Sequence, residues 1–349
     1  MGSYAYVGTY TKGAGGGIHV FHVEPATGAW TPSTVVTASN PAFLALHPSR
    51  RWLYAANEGP AQGAVSAFVI DQRTGELSLL NQEPVPDGPP CHISVDATGR
   101  WVFVANYSSG SLCVYRTERD GRLGAMSDHV QHRGRGRNPK RQEGPHAHSI
   151  SLDAGSRFAL VCDLGLDKLL IYRVDLEKGK LIAHGEVRTR SGAGPRHFAF
   201  EPNGRYGYVI NELDNTVTAF AYDSDAGAMA EIQTIPTLPE GCSEESYAGA
   251  IHAHPAGKFI YGSNRGHDSI AIFRLDSASG RLSARGHQPT RGMWPRSFGI
   301  DGSGRFLFSA NQKSDTIVPF HVDADTGLLR PSGSSVCVPT PACVLMAEL

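Results

Sequence analysis

Residues 168–181, KLLIYRVDLEKGKL, decide the fold. A run rich in leucine, β-branched and aromatic residues meets an acidic residue, then a short polar turn closing on Gly179, then Leu181 two places on. The run has the composition of a half-buried strand, and the glycine suits a tight hairpin whose backbone needs positive φ, which a Cβ makes costly. The same hairpin occurs seven times, with glycines at Gly28, Gly75, Gly121, Gly179, Gly227, Gly280 and Gly327 and large apolar partners at Trp30, Leu77, Leu123, Leu181, Met229, Leu282 and Leu329. Successive glycines are 47, 46, 58, 48, 53 and 47 residues apart. The runs before them read GIHVFHVE, AVSAFVID, SLCVYRTE, KLLIYRVD, TVTAFAYD, SIAIFRLD and TIVPFHVD.

A second register runs through the chain. HPSRRWLYAANE, DATGRWVFVANY, DAGSRFALVCDL, EPNGRYGYVINE, HPAGKFIYGSNR and DGSGRFLFSANQ each join a Gly or Ser turn, a basic residue, an aromatic and an apolar strand ending near Asn or Asp. That makes six copies. The seventh is supplied if the carboxy-terminal PACVLMAEL forms the inner strand of a unit that continues with the amino-terminal YAYVGTYT, a closure that removes exposed sheet edges. Repeats of about 50 residues with four strands each predict an all-β chain, a seven-bladed β-propeller of four-stranded antiparallel blades spanning 1–349 as one domain. The competing closed architecture, an α/β barrel, needs eight amphipathic helices, and the sequence offers no convincing one.

Composition agrees and excludes other classes. Among 349 residues, 40 Gly and 22 Pro argue against long helices. A net charge of -1 removes any bulk electrostatic case for nucleic acid or an anionic membrane. With no bilayer-length apolar stretch and no leader in MGSYAYVGTYTKG, the sequence reads as soluble and cytoplasmic. Six cysteines without Cys-x-x-Cys spacing read as reduced, mostly buried thiols.

Propellers serve enzymes and scaffolds alike, so function has to come from the site. The innermost strands of such a ring line the central channel, and here they begin NPAFLAL, PPCHISV, GPHAHSI, GPRHFAF, YAGAIHAH, WPRSFGI and PACVLMA. Where Ala42 and Ala342 show that a small apolar residue suffices, other copies place His92, His146 with His148, Arg196 with His197, His252 and Arg296. The ends of the second strands add Glu58, Tyr107, Glu212, Arg265 and Lys313. His-x-His pairs on a strand can bind zinc, but no acidic residue has matching spacing, so no metal or other cofactor is expected. His148, His252 and His254 read as structural.

EGPHAHSI, GAGPRHFAF, YVINEL, YGSNRGHDSI, WPRSFGI and SANQKSDTI resemble the blade motifs of the seven-bladed lactonase family, over a span from Tyr4 to the carboxy terminus. That family includes bacterial propeller-type 6-phosphogluconolactonases and fungal carboxymuconate-lactonizing enzymes. The resemblance implies a metal-free site in the channel mouth built from a His, two Arg and a Glu. Carried over by motif, these are His146 in GPHAH, Arg196 in GPRH, Glu212 in NEL and Arg265 in SNRGHDS.

Lactone opening by water needs a base, donors for a tetrahedral oxyanion and a proton for the departing alkoxide. Histidine titrates near neutrality, which suits His146 as base. The planar guanidinium fork binds carboxylate, phosphate or a developing oxyanion, which suits Arg196 and Arg265, with Arg296 and Lys313 as further anion-binding candidates. Glu212 could orient an arginine, polarise His146, act as base, or merely brace adjacent blades.

The longest interval holds the basic run RGRGRNPKR, residues 133–141, leading into Gln142 and GPHAHSI. It reads either as a solvated loop or as an overhang whose Arg141 and Gln142 help bind an anionic substrate. The expected partner is therefore a small anionic lactone, with no nucleic acid and no membrane; the sequence sets no oligomeric state. A muconate-type lactonizing cyclase is the alternative enzyme, and a noncatalytic binding scaffold the alternative of another class.

Overall fold

The computed structural model describes residues 2–11, 16–59 and 63–349, and among them every regular element is a strand. The strands form seven antiparallel sheets arranged as blades of a ring. Blade 1 takes Ser3–Thr9, Gly17–Val23 and Trp30–Thr37 from the start of the chain and its innermost strand, Pro341–Glu348, from the end. That strand runs antiparallel to the first, from Ser3 opposite Glu348 to Thr9 opposite Pro341, which is the ring closure expected from the sequence. The innermost strands of blades 2 to 7 are Pro41–Leu46, Pro90–Val95, Ala147–Leu152, Pro195–Phe200, Tyr247–Ala253 and Pro295–Ile300. The outer edge of blade 7 is split into Leu329–Pro331 and Val336–Cys337, both paired with Thr316–Val322.

One contact explains both sequence registers. Each hairpin glycine lies on the aromatic ring that opens the second strand of the blade before it: Gly75 on Tyr4, Gly121 on Trp52, Gly179 on Trp101, Gly227 on Phe158, Gly280 on Tyr206, Gly327 on Phe259 and Gly28 on Phe306. A Cβ at any of the seven would come within 2.3 to 2.6 Å of a ring atom, and all have φ between 60° and 87°. Only glycine meets both demands. The hairpin tip is also bonded to its neighbour, as where Tyr54, Tyr208 and Tyr261 donate their hydroxyls to Gly121, Gly280 and Gly327 carbonyls at 2.9 to 3.0 Å.

The core is distributed in the same way. Seven clusters of buried side chains, counted among the described residues, lie one between each pair of neighbouring blades. Between blades 2 and 3, for example, Tyr54, Val65, Ile93, Val104 and Tyr115 pack together. Burying each such side chain contributes roughly 1.5–3 kcal/mol, so the ring is held by its blade interfaces.

Every innermost strand also carries one extra residue just after its start. The register shift brackets Ala42, Cys91, His148, Arg196, Gly249 with Ala250, Arg296 and Ala342 in the seven blades. Bulges re-aim side chains, and these recur at one level of the ring. They build the inner tier of the site.

Candidate active site

Two tiers of residues converge at one mouth of the channel. The inner tier is the bulge set, where His148, Arg196 and Arg296 replace the alanines of other blades. The outer tier follows the buried residues that end the second strands: Tyr10, Glu58, Tyr107, Leu164, Glu212, Arg265 and Gln312 come after Thr9, Asn57, Asn106, Asp163, Asn211, Asn264 and Asn311.

Glu212 is the hub. Its Oε2 lies 2.7 Å from Arg265 Nη2 and 3.0 Å from Arg196 Nε, and its Oε1 lies 2.5 Å from Arg141 Nη2. The Arg141 contact is a hydrogen bond, whereas Arg265 and Arg196 hold the carboxylate as ion pairs, their N–H groups being aimed elsewhere. Burial alone would raise the Glu212 carboxyl, but Arg265 and Arg196 outweigh it, with Arg141 adding, and hold the group well below the usual carboxylate range. Arg196 is all but enclosed, at 1% exposure; burial and the neighbouring Arg265 lower its guanidinium while Glu212 opposes them.

Backbone carbonyls aim these groups. Arg196 Nη1 donates to the Gly249 carbonyl at 2.7 Å, and Arg265 donates from Nη2 to Ala248 at 2.9 Å and from Nε to Tyr247 at 3.3 Å. The bulged strand of blade 6 thus presents its carbonyls to both arginines. Arg196 Nη2 and Arg265 Nη1 donate to no protein group among the described residues, which leaves one edge of each guanidinium for a ligand.

His146 stands on the approach to this hub. Its ring stacks on Tyr107 with centroids 4.5 Å apart, its Nδ1 lies 2.9 Å from the Tyr107 carbonyl, and its Nε2 lies 3.3 Å from Glu143 Oε1. A carbonyl only accepts, so Nδ1 carries hydrogen and neutral His146 keeps its lone pair on Nε2. The Tyr107 hydroxyl lies 3.4 Å from Arg141 Nη2, so contacts run from His146 through Tyr107 and Arg141 to Glu212. Behind them His92, His148 and His197 form a buried imidazole layer in which His197 meets His92 at 5.5 Å and His148 at 5.2 Å, and the half-buried His252 lies against Phe298 at 4.8 Å. Burial pushes His92 down to about 3 and His252 down to about 4, and burial with Arg196 pushes His148 and His197 well below their ordinary value. This layer is neutral at physiological pH.

Further cations rest on aromatic faces. Arg296 lies over Tyr10 at 4.9 Å with Glu58 Oε2 3.8 Å from its Nη2, and the Tyr10 hydroxyl bonds that same carboxylate at 2.5 Å. Lys313 Nζ lies 3.3 Å from the centroid of Trp294, whose ring Arg265 also approaches at 5.7 Å. Cation–π contact holds such groups without neutralising them. Four arginines, Arg141, Arg196, Arg265 and Arg296, thus share two carboxylates, Glu212 and Glu58, and the exposed Lys313 adds a fifth cation on Trp294.

Of the residues singled out in the sequence, Arg196, Glu212, Arg265 and Arg141 are in direct contact, and His146, Arg296 and Lys313 stand around them. Gln142 is different. It is fully buried, its amide donating to Leu164 O and Asp167 and accepting from Asn138 N–H, so it anchors its loop and has no group to offer a ligand. Arg133, Arg135, Arg137 and Lys140 point to solvent, and only Arg141 of the basic run turns inward. Tyr10 and Trp294 were missed. Aligning YAYVGTY on WLYAANE would have placed Tyr10 at the station of Glu58, whereas Trp294 opens the motif WPRSFGI but has no counterpart in the other copies to mark it, and it adopts φ 65°.

Cys91 lies at the bulge level, but burial raises its thiol far above the physiological range and its Sγ faces backbone carbonyls, so it is no nucleophile. No group of three or more His, Cys, Asp or Glu among the described residues is disposed to hold a metal ion.

Residues 4–346 match the sequence model of the family described as Lactonase, 7-bladed beta-propeller. The chain is 40% identical over 298 residues to the 6-phosphogluconolactonase of Bacillus subtilis, covering 85% of this chain and 84% of that one. It is 36% identical over 309 residues to the 6-phosphogluconolactonase of Formosa agariphila, covering 85% and 86%. Its fold is similar to that of the periplasmic gluconolactonase of Pseudomonas aeruginosa, with a TM-score of 0.95, 32% identity and coverage of 100% of this chain and 99% of the other.

Proposed function

Because the chain belongs to the seven-bladed β-propeller lactonase family, we propose that it hydrolyses a sugar-acid lactone, with an anionic 6-phosphogluconolactone-type molecule as its substrate. The excess of guanidinium and ammonium groups over carboxylates around Glu212 carries this reading. Arg196 and Arg265 are buried with one carboxylate between them, and positive charge buried without a full complement of partners is costly, so an anionic ligand balances it.

His146 Nε2 takes a proton from water, and the hydroxide adds to the lactone carbonyl. The tetrahedral oxyanion is received by Arg196 Nη2 and Arg265 Nη1, the nitrogens that bond no protein group among the described residues. Collapse breaks the ring C–O bond, and the departing alkoxide takes the proton back from His146, leaving the open acid. Glu143, beside Nε2, stabilises the imidazolium between the two transfers. Glu212 is neither base nor nucleophile in this scheme: an ionised carboxylate gripped by arginines serves to aim them. Arg296 and Lys313 take the distal anionic group.

The scheme uses guanidinium charge in the place of a metal, so EDTA should leave turnover unchanged. Cytoplasmic placement is part of the proposal, on the ground of six unpaired cysteines; fractionation tests it against the periplasmic precedent. The deciding experiment measures opening of freshly made 6-phosphogluconolactone, corrected for spontaneous hydrolysis, beside unphosphorylated gluconolactone. Turnover no faster than buffer on both would sink the proposal, and equal turnover of the two would remove the phosphate from it.

A further inference from the structure

Blade 4 departs from the repeat at the junction that carries His146. Where the second strand ends, blades 2, 3, 5, 6 and 7 place Asn57, Asn106, Asn211, Asn264 and Asn311, and blade 4 places Asp163, with no exposed surface. Where one blade's outer strand hands over to the next, the backbone N–H that bonds back to the preceding turn belongs to Val85, Thr189, Thr237, Thr290 and Val338, and before blade 4 to His132. His132 Nδ1 and Asp163 Oδ2 are 2.6 Å apart, with side-chain exposures of 2% and 0%.

A second departure lies beside the first. The turns of blades 4 to 7 carry Asp167, Asn215, Asp268 and Asp315 at φ 53° to 55°. Each of these side chains grips the lead-in to the next blade: Asp167 takes the Gly194 N–H, Asn215 donates to Ser246 O, Asp268 takes the Trp294 N–H and Asp315 the Thr340 N–H. Blade 3 has Gly110 at that station, where a Cβ would lie 2.4 Å from Pro145. With no side chain there, the His146 N–H goes to Asp163 Oδ1 at 2.8 Å, which also takes the Leu166 N–H at 3.1 Å.

We propose that Asp163, clamped by His132, is a positioning residue that fixes the backbone of His146 and so the ring stacked on Tyr107. The proposal rests on the reading of His146 as base. Five other blades dock with an amide at this point, so blade docking does not require a buried carboxylate and its desolvation cost. What the carboxylate adds is stronger, charge-assisted acceptance of the N–H groups at the end of the longest inter-blade loop. Held there, the imidazole cannot drift from its productive placement when substrate arrives.

The test rebuilds in blade 4 the neutral junction of blade 6, where Asn264 Nδ2 donates to the Thr237 carbonyl at 2.8 Å. The variant H132T/D163N should remain folded, with kcat on 6-phosphogluconolactone about tenfold lower or more and KM within about threefold of the parent. The ring-current shift that Tyr107 imposes on the His146 imidazole protons should be lost by NMR. Asp163→Asn alone should move both readouts the same way. Unchanged kcat and an unchanged His146 shift in a folded variant overturn the proposal, and failure of both variants to fold overturns it too, by making the pair a requirement of the fold. If His146→Ala keeps full turnover while the shift is still lost in the double variant, the base assignment fails and the positional link stands.

Discussion

Glu212 and Arg265 meet across the boundary between blades 5 and 6, Oε2 to Nη2 at 2.7 Å, so a single contact braces two blades and aims a guanidinium into the channel mouth. Arg265→Ala should therefore lower kcat/KM on 6-phosphogluconolactone by about a hundredfold or more. Arg265→Lys should recover little, because an ammonium cannot reproduce the fork that serves Glu212, Ala248 O and Tyr247 O together. Steady-state kinetics on the two variants checks this.

Replacing Glu212 separates bracing from chemistry. Glu212→Gln leaves three guanidinium groups around a neutral amide and should cost about 3–5 kcal/mol of stability at pH 7. Because the folded carboxyl titrates below its ordinary 4.5, the stabilisation is complete above that pH and is lost as pH falls toward the folded value. Thermal melts below pH 4.5 should show a steep loss in the parent and a shallower one in the variant.

The imidazoles act at higher pH. His92 and His252 have folded values of about 3 and about 4 against an ordinary 6.5. The unfolded chain takes up their protons from about pH 6.5 downward and the folded chain does not. Stability should thus begin to fall below pH 6.5, by up to about 1.4 kcal/mol per pH unit for each such group. His252→Asn should flatten the melting temperature between pH 6 and pH 4.5 in a scan of Tm against pH.

At blade boundaries the glycine contact predicts a local effect. Gly179→Ala must resist φ 63° and a ring atom of Trp101 at 2.3 Å, and should destabilise by about 2 kcal/mol or more. Gly185→Ala, where no atom lies within 4 Å of the added methyl, should be neutral. Denaturant unfolding of the pair decides.

The basic run should divide into two kinds of residue. Arg135→Ala removes an exposed charge and should raise KM only slightly, with an effect that vanishes in high salt. Arg141→Ala removes a contact to Glu212 and another to the Tyr107 hydroxyl, and should raise KM at every salt concentration. Measuring KM against added sodium chloride distinguishes them.

The ring was legible in the sequence because the glycine and the aromatic that meet at each blade boundary both recur, and each is a residue type that few others can replace there. Arg196, Glu212 and Arg265 stood out in the sequence for a related reason: most other copies carry smaller or neutral side chains at their stations. The bulges were not. An extra residue in a strand changes the register of every side chain after it without changing composition, so His148 gave no sign of sharing a station with Arg196 and Arg296. Gln142 looked like an extension of the basic run, and only the fold of its loop turns the amide inward. Trp294 adopts a left-handed backbone conformation that its type disfavours, so no propensity could announce it.

Closure of blade 1 gives the ring a direction in which it yields. Ser3 faces Glu348 and Thr9 faces Pro341, and Gly2 and Leu349 exchange both backbone hydrogen bonds at 2.9 and 3.0 Å, so the two ends of this ladder leave it side by side. A force drawing them apart loads one rung at a time, as a zipper does, in place of shearing all rungs together. Opening starts on the face away from the channel mouth and reaches Pro341 last, so the seam parts under tension while the arginines around Glu212 are still in place.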